Sequence, residues 1–343
     1  MPTKPRKKTS KAATKRRKRA TKPKSPQPTM KAAAIDRFGP PEVLTVHAFP
    51  IPKAGAKDVL IALYAAGVGI WDSEIRKGIY SVGRKKFPLV LGADGAGVVA
   101  GVGKDVRRFK KGDEVWAYHF SNATSGFYAE YIAVNAKNVA SVPKGLSLLE
   151  AGAAAVTGLT ALQGVDDHLE LRATDTVLIF GATGAVGTLA AQFARRTGAR
   201  VIATASTGRG SKTLRDLGIE DVLDPRSRDA AEQLRLFAPN GLTAVLAFAG
   251  GEDLEKCINH VVAGGRVVYP NGVEPEPKKR PKVKVSAYDA EVGPDEFERL
   301  SRAVAESNLK VVIEQKFKLE EATQAHVRLE QGHVVGRIVL EIR

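Results

Sequence analysis

Apolar positions change their spacing along the chain near Ser147. Before that point, short apolar or alternating runs are separated by glycine and proline, with turns at intervals of about eight to twelve residues. The runs are KAAAIDRF, LTVHAFPIP, DVLIALYAAGV, GAGVVAGVG, DEVWAYH and GFYAEYIAV. Short, regularly interrupted strands of this kind predict an all-β, barrel-like domain.

Beyond Ser147 the pattern alternates between helix and strand, starting with the helix SLLEAGAAAVTGLTALQGV. Strands are predicted at 176–181, 200–205, 221–224, 243–249 and 265–270, and helices near 184–196, 211–217, 228–236 and 253–262. Such alternation predicts an α/β domain with a doubly wound parallel sheet. EPEPKKRPKVKV is predicted as a loop, and the chain then ends with a helix at about 295–307, a second helix and a closing strand.

These patterns divide the chain into three parts. The predicted parts are a disordered basic tail at 1–29, a β-domain at 30–150 that is completed by about 290–343, and a dinucleotide-binding domain at 151–289.

Three glycines interrupt the apolar pattern in TVLIFGATGAVGTLAAQF. Gly181 ends a strand, Gly184 opens a helix, and Gly187 lies one turn further along. Glycine lets the chain turn sharply and lets a pyrophosphate approach the backbone, and the helix start offers N–H groups to the phosphates. We therefore predict a dinucleotide site made by Gly181, Thr183, Gly184, Ala185, Val186 and Gly187.

The next strand indicates which dinucleotide binds. An NAD site needs an acidic residue at the end of that strand, and no Asp or Glu occurs between Gly181 and Asp216. The residues there are Ser206, Thr207, Arg209 and Lys212. They suit a 2′-phosphate, so the predicted cofactor is NADP(H). The segment superficially resembles an ATP phosphate loop, but Ser211 separates the glycine from the lysine.

The amino-acid composition limits the redox environment and the cellular location that the protein can have. Cys257 is the single cysteine, so the chain has no intrachain disulfide and no cysteine-based zinc cluster. The six histidines are scattered. No apolar run approaches the roughly 18–20 residues that span a membrane. A reducing, cytoplasmic location without a membrane anchor is predicted.

Most of the net charge of +16 lies in residues 1–29, which carry eight lysines, four arginines and no acidic residue. The segment has too little apolar content to fold alone. It could bind nucleic acid through counterion release, or it could be a passive extension ahead of Met30. Both interpretations stay open.

Several motifs together resemble the medium-chain dehydrogenase/reductase superfamily, and more narrowly its zinc-free quinone oxidoreductase branch. They are FGPPEVL, AAGVGIWDSEIRKGIY, FPLVLGADGAGVVAGVGKDVRRFKKGDEVWA, GFYAEYI, GATGAVG and HVVGRIVL, and the resemblance covers about 30–343. It implies a GroES-like β-barrel domain beside a Rossmann domain, and a homodimer.

The resemblance also indicates which metal ligands are missing. Zinc-dependent members place ligands at the positions that hold Gly69, Ala93 with Asp94, and Ala153 in this chain. Only one carboxylate is left, which cannot hold zinc tightly. We therefore predict no metal site and a substrate that delocalises negative charge by itself, a quinone or an α,β-unsaturated carbonyl.

Site residues follow from the same resemblance. The branch usually has Asn where Gly69 stands, and Tyr80 is the candidate proton or hydrogen-bond donor to substrate oxygen. Ile70 and Trp71 are expected to line an apolar pocket. Asp72 and Arg76 are expected to form an ion pair, being spaced i, i+4. Thr157, Gly250 and Asn271 are expected to contact the cofactor, whereas Pro225 replaces a tyrosine that often covers its phosphate.

Two functions remain from the sequence. The first is an NADPH-dependent, zinc-independent reductase of a small quinone or enone. The alternative is an NADPH-binding scaffold with little turnover, whose basic tail binds nucleic acid. A short-chain reductase is excluded because its glycine spacing and its Tyr-x-x-x-Lys pair do not occur.

Overall fold

The computed structural model describes residues 27–80, 86–119 and 126–343. Residues 1–26 of the predicted basic tail lie outside the described residues. Thr29, which was assigned to that tail, is instead the first residue of a strand.

The first part of the chain is mostly β-structure. Its elements are β1 (Thr29–Ile35), β2 (Leu44–Pro50), β3 (Asp58–Val68), α1 (Ile70–Lys77), β4 (Leu89–Val90), β5 (Asp94–Val102), β6 (Glu114–Tyr118), β7 (Tyr131–Asn135) and β8 (Val139–Ser141). Single helical turns occur at Pro41–Val43 and Ala136–Asn138.

The middle of the chain alternates between helices and strands. It contains α2 (Leu148–Gln163), β9 (Thr176–Phe180), α3 (Ala185–Arg196), β10 (Arg200–Thr204), α4 (Gly208–Asp216), β11 (Asp221–Leu223), α5 (Ala230–Phe237), β12 (Leu242–Ala247), α6 (Glu252–Ile258), β13 (Val261–Pro270) and β14 (Lys284–Tyr288). A π-helical turn, Gly164–His168, extends α2. The last elements are α7 (Pro294–Ser307), β15 (Ile313–Lys318), a helical turn at Leu319–Glu321, α8 (Ala322–Glu330) and β16 (Arg337–Glu341).

The end of the chain completes the N-terminal barrel. Strand β16 pairs antiparallel with β3, so Ile338 lies opposite Val68 and Leu340 lies opposite Ala66. Strand β3 also pairs with β5 and β7, which makes it the centre of the larger sheet. Every residue of β3 from Ala65 to Val68 is buried. The strand thus holds the segment that follows it, beginning at Gly69, in a fixed position.

The central sheet is parallel throughout, with the strand order β11-β10-β9-β12-β13-β14. This is the 3-2-1-4-5-6 order of a Rossmann fold, in which cofactors lie at the carboxyl ends of the strands. The predicted α/β fold class is confirmed. Three details of the prediction are wrong: a sixth strand, β14, begins inside the predicted loop, α6 ends at Ile258, and β15 precedes the last helix.

Helix α2 fills the seam between the two sheets. A Cβ atom built on Gly152 would lie 2.7 Å from the Cβ of Ala65 on β3, so the helix packs directly on the barrel. With its π-helical turn the segment Leu148–His168 is long and apolar enough to cross a membrane, which the sequence analysis did not anticipate. However, 72% of its most apolar window is buried inside the protein. That burial is the environment of a core helix.

Candidate active site

The glycine turn after β9 is built as the sequence predicts. Gly181 has a φ of 75°, a left-handed conformation that favours glycine, and its N–H donates to the Oγ1 of Thr204 at 2.9 Å. Gly184 donates to the carbonyl of Gly181 at 3.2 Å and precedes the first residue of α3. The N–H groups of the first turn of α3 therefore face the carboxyl edge of the sheet.

The other two glycines have different reasons for lacking a side chain. A Cβ on Gly187 would lie 2.7 Å from the Cα of Ala182 and nearer still to the Gly181 carbonyl, so α3 and β9 need glycine in order to pack. A Cβ on Gly184 would meet nothing nearer than the same carbonyl, at 3.5 Å. The space above Gly184 is thus open to a ligand.

The end of β10 brings together most of the residues predicted to contact a 2′-phosphate. Thr207 caps α4 by accepting the N–H of Gly210 at 3.1 Å, and Ser206 accepts from Arg226 through its backbone carbonyl at 2.6 Å. Arg209 pairs with Glu314 at 2.9 Å, and Lys212, one turn further along α4, pairs with Asp216 at 2.7 Å. Arg226 was not identified from the sequence, although it follows Pro225, a position that the analysis had singled out.

Of the remaining predicted cofactor residues, Gly250 and Asn271 follow β12 and β13 at the same edge, whereas Thr157 lies within α2. Thr157 is buried in α2, and its hydroxyl donates to the carbonyl of Ala153 at 3.1 Å. Asn271 follows β13 and donates through Nδ2 to Asp289 at 2.7 Å. Gly250 has a packing reason, since a Cβ there would clash with the backbone carbonyl of Pro275.

Helix α1 and the residues just after it place an aromatic pair opposite this edge. The rings of Trp71 and Tyr80 meet edge to face with centroids 4.8 Å apart. The indole of Trp71 also packs over Gly272, where a Cβ would lie 2.7 Å from the ring. Ile70 is 58% exposed beside them. The predicted pocket residues thus lie together on the side of the barrel that meets the Rossmann sheet.

Tyr118, at the end of β6, is a cleft residue that the sequence analysis missed. It lies directly opposite Asp94 in the pairing of β5 with β6. Burial, followed by the nearby charges of Asp94 and Asp289, raises the pKa of its phenol. The ring therefore stays protonated at neutral pH as a potential donor. No motif in the sequence distinguished it from an ordinary strand aromatic.

Asp72 and Arg76 do not form the predicted ion pair. The carboxylate of Asp72 turns back on the helix start, where it accepts from the N–H of Gly69 at 2.9 Å, from the N–H of Gly92 at 3.2 Å and from the hydroxyl of Tyr128 at 3.0 Å. Burial raises the pKa of Asp72 to about 6 despite these donors. Asp72 is the third residue of α1, where a carboxylate caps the helix, whereas Arg76 points away into the barrel.

The buried cluster under α1 continues from Asp72 through a chain of hydrogen bonds. The Nε of Arg76 donates to the Nδ1 of His326 at 3.3 Å, so the proton of the neutral imidazole lies on Nε2, and this nitrogen is 3.3 Å from the hydroxyl oxygen of Tyr128. Burial and then the charge of Arg76 lower the pKa of His326 to about 3. The imidazole is therefore neutral in the folded protein at any ordinary pH.

This neutral histidine predicts a measurable acid sensitivity. An unfolded histidine takes up a proton near pH 6.5 while the folded one does not, so stability is lost as the pH falls below that value. The contribution of Asp72 to stability changes with pH in the opposite direction, because its raised pKa favours the folded state below about pH 6. We expect His326→Gln, which keeps a donor and an acceptor, to lower the slope of the unfolding free energy against pH by up to about 1.4 kcal/mol per pH unit between pH 6 and 4.5. Urea titrations of both proteins check this, and equal slopes would contradict it.

Asp94 is the one carboxylate at the positions where zinc-dependent relatives place metal ligands, and it is fully buried. Its Oδ1 accepts from the Nη2 of Arg337 at 2.9 Å, and its Oδ2 accepts from the N–H of Val156 at 3.1 Å. Burial raises the pKa of Asp94, and Arg337 opposes that shift. Both oxygens of this carboxylate are thus already engaged by donors of the chain.

Comparison with known proteins places this arrangement in a family. The alcohol dehydrogenase GroES-like domain model matches residues 55–144, and the zinc-binding dehydrogenase model matches residues 217–340. Quinone oxidoreductase from Homo sapiens is 30% identical over 332 residues, which cover 92% of this chain and 98% of that protein.

Solved structures of related proteins have the same fold over most of this chain. An NAD-dependent alcohol dehydrogenase is 32% identical with a TM-score of 0.84, covering 92% of this chain and 100% of that one. A mycobacterial protein in complex with NADPH is 27% identical with a TM-score of 0.79, covering 91% of this chain and 99% of that one.

A GroES-like barrel whose aromatic pair packs against the carboxyl edge of a Rossmann sheet, beside Gly272, defines a two-domain, dinucleotide-dependent oxidoreductase. The chain belongs to the medium-chain dehydrogenase/reductase superfamily, in its quinone oxidoreductase branch. The resemblance seen in the sequence is confirmed.

One matching family model is that of a zinc-binding dehydrogenase, a description that implies a metal site. Zinc binds through cysteine, histidine or carboxylate ligands, three of them in a catalytic site. Within residues 27–80, 86–119 and 126–343, no group of three such side chains could hold a metal ion. The one carboxylate, Asp94, is paired with Arg337. The donor set therefore does not fit zinc.

Proposed function

We propose that the chain is an NADPH-dependent reductase that delivers hydride to a quinone or an α,β-unsaturated carbonyl without zinc. The observation that carries the proposal is the open space above Gly184, at the start of a helix and beside cations at the end of β10. Among the described residues, none lies close enough to require glycine there, whereas a pyrophosphate does. The mycobacterial relative that binds NADPH and the relatives named quinone oxidoreductase support it.

Different residues of the chain would bind the cofactor and the substrate. The first turn of α3 would bind the pyrophosphate, and Arg209 and Arg226 would bind the 2′-phosphate. When bound, NADPH supplies the hydride. Trp71 would close one wall of the pocket and exclude water, and Tyr80 would donate a hydrogen bond to the substrate oxygen. A homodimer and a cytoplasmic location, which the sequence also predicted, belong to this proposal.

The cofactor preference is the first test. We expect NADPH to bind more tightly than NADH, because only NADPH offers a phosphate to Arg209 and Arg226. A hydrogen bond to a charged group contributes about 1.5–3 kcal/mol. Replacing both arginines by serine should therefore raise the Kd for NADPH by at least about 100-fold and leave that for NADH nearly unchanged. Fluorescence titration measures both, with Arg200→Ser at the opposite end of β10 as the control. A preference for NADH in the parent would contradict the proposal.

The second test is NADPH oxidation with a panel of quinones and enals. Turnover supports the reductase. If no substrate turns over and nucleic acid binds in a salt-dependent manner that is lost on removal of residues 1–29, the scaffold alternative is supported instead.

A further inference from the structure

Glu314, on β15 of the barrel sheet, is a carboxylate whose side chain is only 5% exposed. The Nη1 of Arg209 donates to its Oε1 at 3.1 Å, and the Nη2 of Arg209 lies 2.9 Å from its Oε2. The Nη2 of Arg328 also donates to Oε1, at 2.7 Å, and the N–H of Val335 donates to Oε2 at 3.0 Å. Because Arg209 belongs to α4 of the Rossmann domain, its ion pair with Glu314 joins the two domains.

This ion pair lies beside the glycine turn. Val335, which donates to Glu314, directly precedes Gly336, and the N–H of Gly336 donates to the carbonyl of Thr183 at 2.8 Å. A Cβ atom built on Gly210 would lie 2.7 Å from the Cγ2 of Thr183, so the first turn of α4 packs against the same turn. The carboxylate of Glu314 is thus near the edge of the sheet where the phosphates of the cofactor are proposed to bind.

Glu314 engages the part of Arg209 that a phosphate would use. A guanidinium binds a carboxylate or a phosphate most strongly through two parallel N–H groups. Here both Nη groups of Arg209 face the two oxygens of Glu314, so these paired donors are already occupied. A 2′-phosphate bound to the same guanidinium would place a second anion beside the carboxylate, and neighbouring like charges repel each other.

Glu314 can release Arg209 without losing all of its partners. Its Oε1 keeps the guanidinium of Arg328, and its Oε2 keeps the N–H of Val335. Burial raises the pKa of Glu314, but Val335, Arg328 and Arg209 together hold it below its usual range, so the group is a carboxylate at neutral pH. The side chain of Arg209 is 61% exposed and has room to turn toward another anion.

We propose that Glu314 sets the preference of the site for NADPH over NADH, because its carboxylate holds Arg209 in the place of the 2′-phosphate. When NADPH binds, its phosphate replaces Glu314 at the two Nη groups, and Glu314 keeps Arg328 and Val335. The inference rests on the proposed function, in which Arg209 binds that phosphate. Only a cofactor with a 2′-phosphate has to break the ion pair, so Glu314 weakens the binding of NADPH and leaves that of NADH unchanged.

Glu314→Gln tests the proposal, with Asp221→Asn as the matched control. Both variants remove one negative charge from an ion pair with arginine, but Asp221 pairs with Arg200, at 3.0 Å, at the opposite end of β10. A partly exposed ion pair changes an equilibrium by up to about fivefold. We therefore expect Glu314→Gln to lower the NADPH Kd by about three- to fivefold without changing the NADH Kd, and Asp221→Asn to change neither. A residue with only a structural role would weaken binding when it is replaced.

A double mutant shows whether Glu314 acts through Arg209. In Arg209→Ser the guanidinium that the carboxylate holds is absent, so adding Glu314→Gln should change the NADPH Kd by less than about twofold. Adenosine 2′,5′-bisphosphate, compared with adenosine 5′-phosphate, gives the same test without a nicotinamide. Glu314→Asp, whose shorter side chain draws the carboxylate away from Arg209, should also tighten NADPH binding. This variant serves if Glu314→Gln fails to fold.

The outcomes separate this inference from the proposed function. If the parent prefers NADPH and Glu314→Gln weakens NADPH binding or leaves it unchanged, the carboxylate does not compete with the phosphate and the inference is wrong. Tightening that persists in the Arg209→Ser background also overturns it. If the parent prefers NADH, the cofactor of the proposed function is wrong, while the effect of Glu314→Gln on the NADPH Kd still decides whether Glu314 withholds Arg209.

Discussion

Replacing Gly187 by valine is expected to abolish NADPH binding, with a rise of at least about 100-fold in Kd. Its side chain would be forced against the Cα of Ala182 and the carbonyl of Gly181, so α3 must move away from β9. The N–H groups of its first turn would move with it. Misplacement by about 1 Å costs roughly 10²-fold where several donors must converge on one group. Fluorescence titration of the purified variant with NADPH measures the effect.

Two other glycines provide the controls. A Cβ on Gly101 of β5 meets nothing within 4 Å, so Gly101→Val should bind NADPH as the parent does. Gly184→Ala isolates the ligand's own requirement, because its Cβ causes no clash in the protein and its φ of −73° is ordinary. This variant should keep the parent's melting temperature and still bind NADPH more weakly. Binding by Gly187→Val at parental strength would show that the pyrophosphate does not lie at this turn.

The glycine turn could be predicted because all its determinants are local. A buried strand, a sharp turn and a helix start follow one another within a dozen or so residues, and each has a clear residue preference. The same holds for most strands of the barrel, whose apolar runs are bounded by glycine and proline. Strand β14 was not predicted because it begins at Lys284, within a segment whose proline and lysine content is typical of a loop.

The parts of the site that could not be predicted depend on distant contacts. Arg337 meets Asp94 across 243 positions of sequence, and neither residue reveals its partner from its neighbours. The spacing of Asp72 and Arg76 was misleading for a related reason. Helical spacing brings two side chains near each other, but contacts with other elements decide which of them form an ion pair. Arg76 pairs with Glu330 on α8 instead of with Asp72.

Replacing Arg76 by methionine is expected to destabilise the protein by about 2–5 kcal/mol, because each buried acceptor that loses its donor costs about 1–3 kcal/mol. Arg76 is fully buried and pairs with Glu330, while its other donors reach the carbonyl of Gly39, the hydroxyl of Ser73 and the ring of His326. Methionine fills similar space but leaves the carbonyl of Gly39 and the Nδ1 of His326 without this donor, while Glu330 keeps Ser73 and Lys77. Urea unfolding of the variant and the parent gives the difference.

Arg200→Met is the matched control for this stability effect. Arg200 also pairs with an aspartate, Asp221, at 3.0 Å, but its side chain is 49% exposed, and exposed pairs contribute about 0–1 kcal/mol. A loss below 1 kcal/mol for Arg76→Met as well would show that the buried network does not hold α1 against α8. A large loss of unfolding free energy in Arg76→Met but not in Arg200→Met means that the buried ion pair with Glu330 holds α1, the helix that carries Trp71, in place. The proposed substrate pocket then depends on a contact between α1 and α8.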